Sequence, residues 1–341
     1  MSRRVVYFSQ LKALACVAVV LLHTFYAAAA FASDNSQKAL MLSVRNAMMF
    51  AVPCFVMVTG ALLLDPARVL TYKKLFGKLI LRMVTALLVF SLLFSLFDVT
   101  LVAKEFTAKG LWDGFKTAFF GGGWKHMWYL YLMIALYLLM PAYRLVTKSA
   151  SRTDILYLTG VYCVFLAILP TVESLTGKTF AFYICAFSVY PLYLFLGYAM
   201  HNELLRIPTP LAAILALAGL GLTVGLTVHY TGKDSEVNSL LGNYSFAVTV
   251  LTAAGIFGLL RAGKDRSHRV LDTLCRELEQ CSFGIYLIHM AALKLVFAVW
   301  KLDPFAHGGA LTVLGISAAV LIVSYGAVRL LRSIPGVRSI L

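Results

Sequence analysis

Apolar stretches recur along the chain at about 20 residues each, the length an α-helix needs to cross a hydrocarbon core of about 30 Å, and short polar breaks separate them. Ten such stretches occur, at about 8–31, 43–64, 77–101, 126–146, 154–171, 180–200, 209–230, 240–261, 280–300 and 309–331. The pattern predicts an all-α polytopic membrane protein with about ten transmembrane helices. The largest breaks, 102–125 and 262–279, are too short to fold alone, so residues 1–341 are expected to form a single integral membrane domain. In "AGKDRSHRVLDTLCRELEQ", Val270, Leu271, Leu274 and Leu278 recur at helical spacing with charges between them. That predicts a short helix lying on the membrane surface, there for packing. Gly221 and Gly225 form a G-x-x-x-G that predicts close helix contact.

Composition agrees: 61% of residues are hydrophobic and 13% charged, which excludes an ordinary soluble domain. The net charge of +15 would suggest nucleic acid in a soluble protein, but its placement points elsewhere. Nineteen basic residues fall on one set of alternate loops, among them Arg3, Arg4, Arg68, Arg144 and Arg266, and nine on the other. The richer set faces the cytoplasm, so both termini are expected there and no nucleic-acid partner is implied. The six cysteines show neither a disulfide framework nor a zinc spacing. "SRR", an apolar run and "AAAAFAS" imitate a secretory signal cleaved before Ser33, but the run is longer than a signal core and contains His23, which favours a retained first span. The glycines at 121–123 follow no strand and precede no G-K-[ST], so they do not form a phosphate loop.

Ionisable residues inside spans mark function by default. In "LKALACVAVVLLHTF", Lys12 and His23 are eleven residues apart, and eleven steps of about 100° return to within roughly 20° while rising about 16 Å. They share a face, with Lys12 near the inner mouth and His23 near the midplane. That is a path for an anion ending at a group able to move a proton. His289, nine residues past Gln280 on the ninth span, falls at a similar depth, so the two histidines are placed to face one site. His126 begins the fourth span at the outer surface, where an exposed histidine costs little. The aromatic loop "FFGGGWKHMWYLYL" puts Trp124 and Trp128 at an interface.

Lys12 and His23 on the first span are followed by "VPCFVMVTGALLL", "HMWYLYLMIALYLLMP", "YLFLGYAM" and "FGIYLIHM" on the second, fourth, sixth and ninth. Together these resemble the acyltransferase-3 family of ten-span membrane acyltransferases over nearly the whole chain. The resemblance implies transfer of an acyl group, usually acetyl from cytoplasmic acetyl-coenzyme A as donor substrate, to a hydroxyl of a cell-envelope glycan or lipid-linked sugar. It implies a location in the inner or plasma membrane of a bacterial cell. His23 matches the essential histidine, as general base or transient acyl carrier, and Lys12 its basic partner, often arginine in relatives. "YKKLFGKLILR" offers Lys74, Lys78 and Arg82 where relatives show paired arginines. With Lys12 these are the expected holders of the coenzyme A phosphates. His289 and Tyr286 are expected to orient the acceptor or stabilise charge, and Trp124, His126 and Trp128 to form a sugar platform. No metal site is implied. The rival class is a secondary transporter or exporter of an envelope precursor, which would leave its solute chemically intact.

Overall fold

The computed structural model describes residues 5–120, 124–179, 188–264 and 268–341. Arg3, Arg4, the glycines 121–123, Cys185, most of the first half of the predicted span 180–200, and Arg266 lie outside the described residues. Among the described residues all regular structure is helical. In chain order the helices are α1 Val6–Phe31, α2 Asn35–Leu63, α3 Tyr72–Val102, α4 Ala108–Phe119, α5 Lys125–Ser149, α6 Arg152–Thr176, α7 Tyr190–His201, α8 Thr209–Tyr230, α9 Ser235–Leu241, α10 Ala247–Ala262, α11 Arg269–Val299, α12 Ala310–Leu331 and α13 Val337–Ile340. Eight of these, α1, α2, α3, α5, α6, α8, α11 and α12, are long and apolar enough to cross a membrane. The chain is a multi-pass membrane protein. The other two predicted spans correspond to shorter helices, α7 with 12 residues and α10 with 16.

α1 occupies the interior. Tyr7, Leu11, Ala15, Ala18, Leu22 and Phe25 recur at three- and four-residue intervals and are all buried, with α2, α11 and α12 packed around them. Lipid is as apolar as leucine, so packing rather than hydrophobic transfer holds such helices together, and small residues set how closely they approach. α2 and α7 approach backbone to backbone. A Cβ at Gly60 would stand 2.0 Å from the Leu194 carbonyl oxygen, and one at Gly197 would stand 2.1 Å from that of Met57. The two glycines meet the facing backbones reciprocally. α8 and α10 approach through Gly219 against Thr252 and Gly255 against Ala212 and Ala216. The predicted G-x-x-x-G is thereby corrected: a Cβ at Gly221 or Gly225 would meet no described residue within 4 Å, because the contact face of α8 runs through Ala212, Ala216 and Gly219.

These contacts carry an expectation for stability. Gly197→Ala should lower the unfolding temperature in detergent, with a cost of roughly 1–3 kcal/mol or more from overpacking against a backbone that cannot yield. Gly221→Ala should be neutral or stabilising, since alanine is favoured over glycine in helices by about 1 kcal/mol and nothing obstructs it. Equal melting temperatures for the two variants would contradict the packing described.

Candidate active site

α1 and α11 run parallel and side by side, and their polar residues meet in chain order. Gln10 donates to Asp272 at 2.8 Å, Lys12 pairs with Glu279 at 3.3 Å, and His23 meets His289 at 3.1 Å between Nδ1 and Nε2. Ser9 donates to the second oxygen of Glu279 at 2.6 Å. The short surface helix predicted within 262–279 is therefore the first turns of α11. Asp272 and Glu279 are seven residues, two helical turns, apart and find partners on α1 instead of water. Val270, Leu271 and Leu274 stay exposed on the other side.

Hydrogen-bond accounting fixes the protons on the histidine pair. His289 Nδ1 lies 3.0 Å from the Ile285 carbonyl, and a carbonyl only accepts, so that nitrogen carries the hydrogen and Nε2 of the neutral ring accepts. His23 Nδ1 must then be the donor to His289, and it also lies 3.0 Å from the Val19 carbonyl. The lone pair of His23 is left on Nε2, to which no described residue hydrogen-bonds. Two backbone carbonyls and one neighbouring ring thus select the tautomer that exposes a base.

His23 lines a cavity of about 420 Å³. Around Lys12 its wall carries Arg82, Glu279, Arg332 and Arg338, and around His23 it carries His126, Tyr129, Trp128 and Tyr244. Both sequence-predicted ends of the path therefore open on one space. Among the described residues no group of His, Cys, Asp and Glu side chains is assembled to hold a metal ion.

The remaining predicted residues divide. His126 is 3% exposed, not at the surface, and its ring lies 5.7 Å from that of His289, centroid to centroid. A backbone group of Leu287 lies beside the His126 ring, but neither ring nitrogen is aligned for a hydrogen bond. It is drawn inward because Trp124, two residues earlier, donates to Asp98 at 2.9 Å and stacks on Phe94 with centroids 4.0 Å apart. Asp98 also pairs with Lys294 of α11. Trp124 is thus a buried anchor outside the cavity wall, whereas Trp128 belongs to the wall. The Tyr286 hydroxyl donates to the His126 carbonyl and holds that turn. Lys74 and Lys78 are exposed and stand outside the wall. Arg82 lines it, but its guanidinium already donates to the carbonyls of Ile340 and Leu341, at 3.1 and 2.7 Å, and covers the Phe283 ring. Sequence reasoning missed Glu279, Arg332 and Arg338 at the site. The available signal was the two-turn spacing of Asp272 and Glu279 in a segment otherwise read as a surface helix.

A family model described as an acyltransferase domain matches residues 5–329, nearly the whole chain. The chain belongs to the acyltransferase-3 family. Searches among curated proteins and among solved structures return no match. For a membrane acyltransferase the arrangement has a direct chemical use. A neutral imidazole held in one tautomer, its free nitrogen toward an enclosed space, can take a proton from a hydroxyl as that hydroxyl attacks an acyl carbonyl.

Proposed function

We propose that this acyltransferase moves an acyl group, acetyl foremost, from cytoplasmic acyl-coenzyme A to a hydroxyl of a cell-envelope glycan or lipid-linked sugar in a bacterial inner membrane, with both termini cytoplasmic. The observation that carries this reading is His23 Nε2, without a hydrogen-bond partner among the described residues, in a cavity whose other end is cationic. The acceptor hydroxyl gives its proton to Nε2 as its oxygen bonds to the thioester carbonyl carbon. The tetrahedral intermediate collapses, the carbon–sulfur bond breaks, and the imidazolium returns the proton to the departing thiolate. His289 stabilises the imidazolium by accepting from Nδ1. Trp128 and His126 wall the acceptor's side, and Tyr286 acts on it through the His126 turn.

Lys12 serves the donor as a charge. It is half-held by Glu279, with both side chains partly exposed, so an incoming phosphate competes for the ammonium without stripping a deeply buried ion pair. Lys12→Arg should keep activity, and Lys12→Ala should raise the KM for acyl-coenzyme A about tenfold, the usual scale for one charge-assisted contact. A KM unchanged in Lys12→Ala would remove the residue from the donor site. Lys74 and Lys78 would act only at a distance, through a field that salt screens.

The test of the reading is turnover. Purified protein in nanodiscs, given acetyl-coenzyme A and extracted envelope glycan, should release free coenzyme A and add the acyl mass to the glycan. A glycan carried across the membrane with its mass unchanged and no coenzyme A released would make the protein a transporter.

A further inference from the structure

The family match ends at residue 329, yet residues beyond it help build the cavity. After α12 the chain turns at Pro335 and Gly336, the latter with φ +89, a conformation that favours glycine. It then folds back as α13 so that Leu341 is 3% exposed within the main core. Arg332, Arg338 and Leu341 all line the cavity. The carbonyls of Ile340 and Leu341 take up the guanidinium of Arg82, so Arg82 anchors this returning segment. Arg332 spends one nitrogen on the Gln280 carbonyl. Arg338, exposed at the rim, makes no hydrogen bond or ion pair through its side chain with a described residue.

Among side chains, the wall of the cavity thus carries four basic groups, Lys12, Arg82, Arg332 and Arg338, against one carboxylate, Glu279. Like charges converging on one concave space repel one another unless a polyanion joins them, and guanidinium groups suit phosphate oxygens better than ammonium groups do. We propose that the segment 332–341 is a phosphate clamp for the donor: Arg332 and Arg338 contact the phosphates of the coenzyme A moiety, and Arg82 is a positioning residue that holds the segment in place. This rests on acyl-coenzyme A being the donor. It moves the chief phosphate contacts from the start of α3 to the segment after α12.

Coenzyme A binding to the full-length protein in nanodiscs, followed by calorimetry over a range of salt, tests the clamp. Arg332→Gln with Arg338→Gln should weaken binding about 10- to 100-fold, the scale expected for two charge-assisted contacts, and should flatten its salt dependence. Arg338→Lys should bind more tightly than Arg338→Gln because charge is kept. Arg82→Gln should also weaken coenzyme A and should expose 333–341 to protease, which a direct phosphate contact alone would not do. Removing residues 333–341 should weaken binding; if it tightens binding instead, the segment is a plug and the clamp is wrong. A double variant with wild-type affinity and wild-type melting temperature would also overturn it. A wild-type protein that neither binds coenzyme A nor releases it from acetyl-coenzyme A would overturn the parent reading, and the clamp with it.

Discussion

His23→Gln protein is expected to insert, fold and bind donor normally, and to transfer acyl groups about 10² to 10⁴ times more slowly, the range usual for loss of a general base. Glutamine keeps much of the volume and can still hydrogen-bond, but it takes up no proton at neutral pH. His23→Ala should be as inactive, because the lost function is the lone pair on Nε2 and not the filling of space. The measurement is coenzyme A release in the presence of acceptor, with donor affinity measured alongside. A His23→Gln protein at the wild-type rate would show that this histidine only packs, and the proton-transfer reading of the cavity would have to be abandoned.

His289→Leu is expected to cost on the order of 10² in turnover with little change in the KM for donor, because a misplaced catalytic group loses about that much. Leucine fills the space but removes the acceptor for His23 Nδ1–H, leaving only the Val19 carbonyl to hold the ring. The imidazolium formed during transfer then also lacks a partner. His289→Gln, whose side-chain oxygen can accept from the same hydrogen, should recover part of the loss. Equal rates for the Leu and Gln variants would mean that His289 contributes shape alone. A change confined to KM would move it from orienting the base to binding substrate.

The spacing of polar side chains explains why some of this site could be read from the chain and some could not. Lys12 and His23 were legible because both lie on one helix, where an eleven-residue separation dictates a shared face. The depth of His289 followed from its distance to the end of its span. That it reaches His23, and in which tautomer, depends on the sideways register of α1 against α11, which Gln10, Asp272, Lys12 and Glu279 set across more than 260 residues of sequence. His126 was misplaced for a similar reason: interfacial composition suggested exposure, and only the Trp124–Asp98–Lys294 contacts from α3 and α11 draw its turn inward.

Hydropathy by itself determined that the chain is helical, that it passes the membrane many times and roughly where, because lipid demands long apolar runs whatever their neighbours are. The family was legible in the sequence as well, through short local strings such as "FGIYLIHM" that need no tertiary contact to be read. Close approach was decided only in three dimensions. Gly221 and Gly225 carry the familiar pattern yet face no described residue within 4 Å of a Cβ, whereas Gly60 and Gly197, far apart in sequence, bring two backbones together. Any glycine permits contact, and the neighbour that uses it is chosen by the packing of the whole bundle. The same holds for the basic residues. Loop charge divides the basic residues into a richer and a poorer set, but whether an arginine lines a cavity, as Arg332 does, or caps carbonyls, as Arg144 does with Leu63, Asp65 and Arg68, depends on where the other helices end.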